Sequence, residues 1–307
     1  MTRYSLLLDE SYDDAANVYV VGGVIIATDL VAELSAAVSQ VSRDLVGDER
    51  AELKYTESRE VKSQLASHGT STSAARERMA LVPGKVEGVV LVASIILDPT
   101  SDATAGSLKP LSWALLRCVT HFTNFLSDAG ASTAPGSHLI IADRFPGRTH
   151  HTAFHDAYRD AFDAVPHGST PKSMGVLDFM TEADATHCAP LRLADFFSGT
   201  VRAWAHAEHR YDANPNPFTG KDTSRPRYAL NRYMHFIRGN RRSPDQKGGY
   251  GLAIWPEDRR PQLDLWLART RGRRIEETYE EPHTGLRKRN DGSFALTFTP
   301  GTTRSWE

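Results

Sequence analysis

Residues 4–27 read YSLLLDESYDDAANVYVVGGVIIA, and the fold class follows from how this stretch is divided. Tyr4–Asp9 is a short apolar run that ends in carboxylates, Asp9 and Glu10. It reads as a buried strand whose carboxyl end carries function. Ser11–Asn17 is polar and turn-like. Val18–Ala27 is β-branched and reads as a second strand, paired with the first as a hairpin. A strand hairpin at the start, followed by alternating helices and strands, predicts a layered α/β domain with a mixed sheet flanked by helices.

The alternation runs outward from there. Thr28 and Asp29 are placed to cap a helix reaching about Val46, with Leu30, Leu34, Val38, Val41 and Leu45 at helical spacing. Gly47–Glu52 breaks it. Glu52-Leu53-Lys54-Tyr55 follows, then a polar helical stretch interrupted near Gly69–Ser73. Val86–Leu97 is the strongest strand signal, ended by Asp98-Pro99. Leu108–Ala129 reads as a helix. His138–Ala142 reads as a buried strand, and it too ends in a carboxylate, Asp143. His150–Val165 is amphipathic, Met174–Met180 extended, and Ala189–His209 a long helix containing Asp195. The α/β domain is therefore expected over residues 1–210. Residues 211–226, rich in Pro and Asn, mark a boundary. Residues 211–307 are expected to form a basic C-terminal extension ending in a hairpin at Leu286–Thr299.

The net charge of -2 conceals an uneven distribution. Residues 1–220 hold about 18 basic and about 27 acidic side chains, whereas residues 221–290 hold about 17 basic and about 9 acidic. Tyr228, Tyr233, Phe236, Tyr250, Trp255 and Trp266 are interleaved with the basic residues. Such a segment suits a polyanion, with stacking on the rings. It equally suits a solvated arginine-rich face that balances an acidic body. Cys118 and Cys188 stand in no zinc or redox spacing and fit a reducing compartment. No apolar run has the length of a membrane span or a signal peptide, so a cytoplasmic protein without a membrane partner is expected. There is no HExxH, GxSxG or phosphate-loop pattern, and the histidines at 150, 151, 155, 206 and 209 read as surface residues.

The acids carry the chemistry. In open α/β sheets, ligands collect at the carboxyl ends of strands, so Asp9 and Asp143 converge if their strands are neighbours. Asp195 lies among Leu193, Phe196 and Phe197, where a lone charge is costly and a divalent cation would compensate it. Gly199, four residues on, leaves room for close approach on the same face. Each acid also has an ordinary reading: a turn or cap for Asp9 and Asp143, a pair with Arg192 or Arg202 for Asp195, a pair with Lys54 or a helix cap for Glu52.

Taken in order, Leu7-Leu8-Asp9-Glu10-Ser11, Val21-Gly22-Gly23-Val24, Glu52-Leu53-Lys54-Tyr55, Ile140-Ile141-Ala142-Asp143-Arg144 and Leu191-Arg192-Leu193-Ala194-Asp195-Phe196-Phe197-Ser198-Gly199 resemble the DUF3800 family, which is similar to the ribonuclease H-like superfamily. The likeness covers about residues 4–205. It departs from the family at Tyr12, where Gly is common, and at Arg192, where Gln is common. The resemblance implies a ribonuclease H-like fold and a carboxylate metal site for Mg²⁺ or Mn²⁺ built from Asp9, Glu52, Asp143 and Asp195, and less directly from Glu10 and Lys54. The function expected is a metal-dependent phosphodiesterase acting on nucleic acid, DNA or RNA, with Lys54 or a nearby Arg steadying the phosphate. The alternative is a non-catalytic nucleic-acid- or nucleotide-binding accessory protein of a prokaryotic defence or mobile-element system. A phosphatase or nucleotidase using the same acids is a third possibility.

Overall fold

The computed structural model describes residues 2–13, 17–55, 59–97, 110–131, 137–143, 156, 158–160, 163, 180–185, 187–213, 221–237 and 251–271. Strands β1 (Tyr4–Asp13) and β2 (Val18–Ala27) form the antiparallel hairpin, registered from Tyr4↔Ala27 to Asp13↔Val18. Strand β1 runs four residues past Asp9. The polar residues Ser11–Asp13 are held in the ladder by Val18–Val20 opposite, with Asn17 at φ 51 in the turn. Asn tolerates this left-handed conformation better than most residues.

Helix α1 (Val31–Val46) follows a short 3₁₀ turn at Thr28–Leu30, with no side-chain cap, and ends at Gly47 with φ 74. Two short helices, α2 (Arg59–Ser67) and α3 (Thr72–Met79), come next, and Ser71 caps α3 by accepting from the Ala74 amide. Strand β3 (Val90–Leu97) begins four residues later than the apolar pattern suggests. The reason is Gly88, whose φ of 75 turns the chain just before it. Then come α4 (Pro110–Asp128), β4 (Leu139–Asp143), β5 (Met180–Ala183) and α5 (Ala189–Ala213). Most of His150–Val165 and of Met174–Met180, Asp98-Pro99, Tyr250 and the hairpin at Leu286–Thr299 lie outside the described residues.

Among the described residues the sheet has six strands in the order β5-β4-β1-β2-β3-β6. Strands β1–β2–β3 form an antiparallel meander. Strand β4 joins β1 in parallel, β5 joins β4 in parallel, and β6 (Leu252–Trp255) joins β3 in parallel. Alternation along the strands divides the core in two. Leu7, Val20, Val24 and Ile26 face α1 and α5, whereas Leu6, Leu8, Val21 and Ile25 face α4. Cys118 lies in the α4 layer, where burial pushes its thiol up to about 12, so it behaves as a small hydrophobe. No helix among the described residues is long and apolar enough to cross a membrane.

The residues expected as a basic extension are, where described, part of the same body. Helix α5 continues through residue 211 to Ala213, and α6 (Lys221–Tyr233) accommodates Pro226 in its first turns. Strand β6 completes the sheet, and α7 (Arg260–Thr270) packs behind it. Leu230, Tyr233, Ile254, Leu263 and Trp266 belong to the core that also holds α1 and α5. Of the interleaved rings, Tyr233, Trp255 and Trp266 are buried and Tyr228 is exposed. The buried rings are core side chains and cannot stack on nucleic-acid bases. Hydrophobic packing placed them at the spacing that suggested a stacking surface.

Candidate active site

Among the described residues, strand β4 pairs with β1 as far as Leu8↔Ala142, and Asp9, Glu10 and Asp143 follow at that end of the two strands. Asp9 and Gly22 are cross-strand partners on the α5 face of the sheet. A Cβ on Gly22 would lie 2.8 Å from the Cβ of Ser198. Glycine at that position lets α5 sit directly on β2 and brings Asp195, three residues before Ser198, to the Asp9 side of the sheet. In α5, residues 189–201 are buried except Asp195, which therefore faces an opening rather than packed side chains.

That opening is a cavity of about 160 Å³ lined by Asp9, Glu10, Glu52, Leu53, Lys54, Asp143, Ala185, Arg192 and Asp195. All five residues expected at the site, Asp9, Glu52, Lys54, Asp143 and Asp195, meet here. Backbone amides fix three of the acids. The Glu10 amide donates to Asp9 Oδ1 at 2.7 Å, the Tyr55 amide to Asp195 Oδ2 at 2.6 Å, and the Ala185 amide to Asp143 Oδ1 at 3.1 Å. Lys54 Nζ is 2.8 Å from Glu52 Oε1.

The charges in the cavity work against one another. Burial pushes the Asp9 carboxyl well above the usual carboxylate range, and Asp195 and Asp143 push it further, against the pull of the Glu10 amide. Burial and Asp143 raise Glu10 to about 8. Asp195 is raised to about 6 by burial, with Asp143 and Glu52 adding to the effect, while the Tyr55 amide and Lys54 hold it down. Burial disfavours the charge on Lys54, but Glu52, Asp143 and Asp195 outweigh it and its ammonium is held above its ordinary range. Three of the five acids are thus held above their ordinary range while Lys54 and Arg192 share the cavity with them, so the cluster is richer in acids than in cations.

Its donor set, carboxylate oxygens in one cavity, has the chemistry a hard divalent cation takes. Among the described residues, no group of three or more His, Cys, Asp or Glu side chains is placed to hold a metal ion. The carboxylates are close enough to shift one another's titration, but three of them direct an oxygen to a backbone amide.

Arg192 and Arg202 do not serve as counter-ions to Asp195. Arg192 is buried and donates to the carbonyls of Glu49, Arg50, Ala51 and Ala185 and to the Ser42 hydroxyl. Arg202 donates to the Tyr12 carbonyl. The room that Gly199 leaves is filled from within the protein, because the Tyr55 ring lies 2.2 Å from where a Cβ would stand. Arg76 lies over that ring at 4.1 Å and donates to the Tyr55 carbonyl at 2.8 Å.

Sequence reasoning gave Glu10 a minor part, and Tyr55, Arg76 and the Ala185 amide none. Glu10 alternates away from Asp9 along β1, yet it lines the same cavity. A backbone amide such as that of Ala185 leaves no signature in side-chain identity.

A larger cavity, about 340 Å³, lies on the α4 face between Trp113, Arg117, Ala253 and Glu257. There Trp113 Nε1 donates to Glu257 at 2.9 Å and Arg117 is paired with the same carboxylate. Volume alone would favour this cavity, but the clustered, mutually perturbed carboxylates favour the smaller one. Among known proteins, no family model and no curated protein matches this chain.

Proposed function

We propose that the cavity at the end of β4 is a divalent-metal site and that the protein is a metal-dependent phosphodiesterase acting on nucleic acid. One observation carries this reading. Asp9, Glu10, Glu52, Asp143 and Asp195 line a single cavity with two cations, Lys54 and an Arg192 that is bonded to backbone carbonyls, and Asp9, Glu10 and Asp195 are all raised in pKa. The ribonuclease H-like assignment belongs to the same proposal. It is supported by the β1–β2–β3 meander, by the parallel addition of β4 and β5 beside β1, and by acids on β1, at the end of β4 and on the helix packed across them.

Asp9, Glu52, Asp143 and Asp195 would hold Mg²⁺ or Mn²⁺. When bound, the metal supplies charge compensation and activates water for attack on phosphorus. The chain's own residues do the rest. The Tyr55 and Ala185 amides orient Asp195 and Asp143. Lys54, held protonated by Glu52 and its neighbours, offers a cation to a phosphate oxygen. The choice of nucleic acid as substrate rests on the family resemblance and on this chemistry. Two arginines of the C-terminal segment, Arg227 and Arg269, do not add to it, since they pair with Glu208 and Asp212 inside the fold.

The test is hydrolysis of single- and double-stranded DNA, RNA and hybrid duplexes, with a small phosphate ester in parallel, in Mg²⁺, Mn²⁺ or chelator. Metal-dependent cleavage of a polynucleotide is expected, with Asp9→Asn and Asp143→Asn each losing about a hundredfold or more. Full activity in both variants, or in chelator, would reject the site. Binding of nucleic acid without cleavage would favour the accessory-protein alternative.

A further inference from the structure

We propose that Arg192 is the positioning residue of this site, a single buried guanidinium that ties the segment carrying Glu52 to the segment that holds Asp143. Residues 48–54 form no helix or strand, so their carbonyls find no partner in a regular ladder. Arg192, 2% exposed, supplies donors to three of them, adding to the Leu53 amide that donates to the Ala51 carbonyl at 3.0 Å. Its Nη1 donates to the Ala51 carbonyl at 3.0 Å, and to the Glu49 carbonyl and Ser42 Oγ at 3.3 Å. Its Nη2 donates to the Arg50 carbonyl at 3.3 Å, and its Nε reaches the Ala185 carbonyl at 3.0 Å.

Both ends of this span adjoin site residues. Ala51 immediately precedes Glu52, and the amide of Ala185 is the one bonded to Asp143. Ser42 reinforces one end only, by donating to the Ala51 carbonyl at 3.0 Å.

A planar fork with five N–H groups spans acceptors on two separate segments. A lysine ammonium is a point charge, and a glutamine carries two donors, so neither can hold both ends. An aliphatic side chain would fill the volume without the cost of burying a charge. That four of its bonds go to backbone carbonyls on two separate segments fits a role in placing backbone.

Amide hydrogen exchange on the full-length, metal-free protein tests this directly, because two amides report the two ends: Tyr55, bonded to Asp195, and Ala185, bonded to Asp143. In Arg192→Gln both are expected to exchange roughly tenfold faster, with the β2 amides of Val20 and Val24 unchanged. Arg192→Lys is expected to give no rescue. Ser42→Ala is expected to speed Tyr55 and spare Ala185. Unchanged Tyr55 and Ala185 amides in Arg192→Gln, or equal acceleration of the β2 amides, overturn the proposal. If Arg192→Gln does not fold, unchanged amides in both Arg192→Lys and Ser42→Ala overturn it.

A Mn²⁺ titration forms a second arm, in which Arg192→Lys is expected to bind about tenfold more weakly than the parent. This arm alone rests on the metal-site reading. A parent protein that binds no Mn²⁺ would defeat that reading, while the exchange data would still decide the role of Arg192.

Discussion

At the residue scale, the acids of the cavity are poised against the stability of the metal-free protein. Asp9, Glu10 and Asp195 have folded-state pKa values raised above their ordinary ones, Glu10 to about 8 and Asp195 to about 6. For a raised carboxyl, the stabilising contribution is complete below the unfolded pKa and is lost as pH climbs through the folded one. In chelator, the protein should therefore melt at a falling temperature between about pH 4.5 and pH 8, and divalent metal should reverse the fall. Asp9→Asn removes a buried acid of the cavity. It should raise metal-free stability at pH 8 and flatten the pH dependence, while activity is lost. A less stable Asp9→Asn with the parental pH slope would show that the acids are already neutralised by other means. Asp9 and Asp143 were legible in the sequence because apolar strands end in them, and Asp195 because an acid interrupts an apolar helical stripe. Glu52 was not legible by periodicity, since the turn that carries it has none; only the family-like motif marked it.

At the scale of elements, α5 is the axis to which the rest is fastened. Its first half closes the site, and its second half anchors α6 and α7. Glu208, fully buried, takes both oxygens to Arg227 and also accepts from Arg269 at 3.3 Å. Asp212 accepts from Arg269 at 2.5 Å and from Trp266 Nε1 at 2.6 Å. Trp204 Nε1 donates to Thr270 at 2.7 Å across the same contact. Glu208→Gln would leave two largely buried guanidiniums short of charge, so a loss of about 3–5 kcal/mol is expected by chemical denaturation. Because the site lies several turns away, metal affinity should be unchanged at temperatures where the variant is folded. A loss below about 1 kcal/mol would mean that water reaches the network. The elements themselves were largely legible, since β2 and α1 follow apolar periodicity closely. Their ends were not. β1 extends because its partner strand holds polar residues in register, and β3 starts late because one glycine turns the chain.

At the scale of the whole molecule, the question is where the folding unit ends. Composition suggests a break near residue 211, because Pro, Asn and basic residues accumulate there and the resemblance stops at about 205. Tertiary pairing says otherwise, and no local pattern could show it: β6 is separated from its neighbour β3 by more than a hundred residues, yet it completes the sheet. Two of the arginines in the basic segment, Arg227 and Arg269, meet carboxylates on α5, so the charge asymmetry along the sequence is partly cancelled in space. A chain ending at residue 210 would lose Leu230, Tyr233, Ile237, Leu252, Ile254, Leu263 and Trp266 from the core. It would also strip the pairing from the edge of β3. Burial of each such side chain contributes roughly 1.5–3 kcal/mol, against a net stability of about 5–15 kcal/mol for a whole domain. The 1–210 fragment is therefore expected to lack a cooperative thermal transition, and to associate through the exposed β3 edge and the uncovered face of α5. Circular dichroism melting and size-exclusion chromatography of the fragment beside the full chain are the measurements. A monomeric fragment with a cooperative transition and bound Mn²⁺ would restore the boundary at 211. Association without a transition would mean that the cavity's acids are held in place only when β6 and the two helices around it are present.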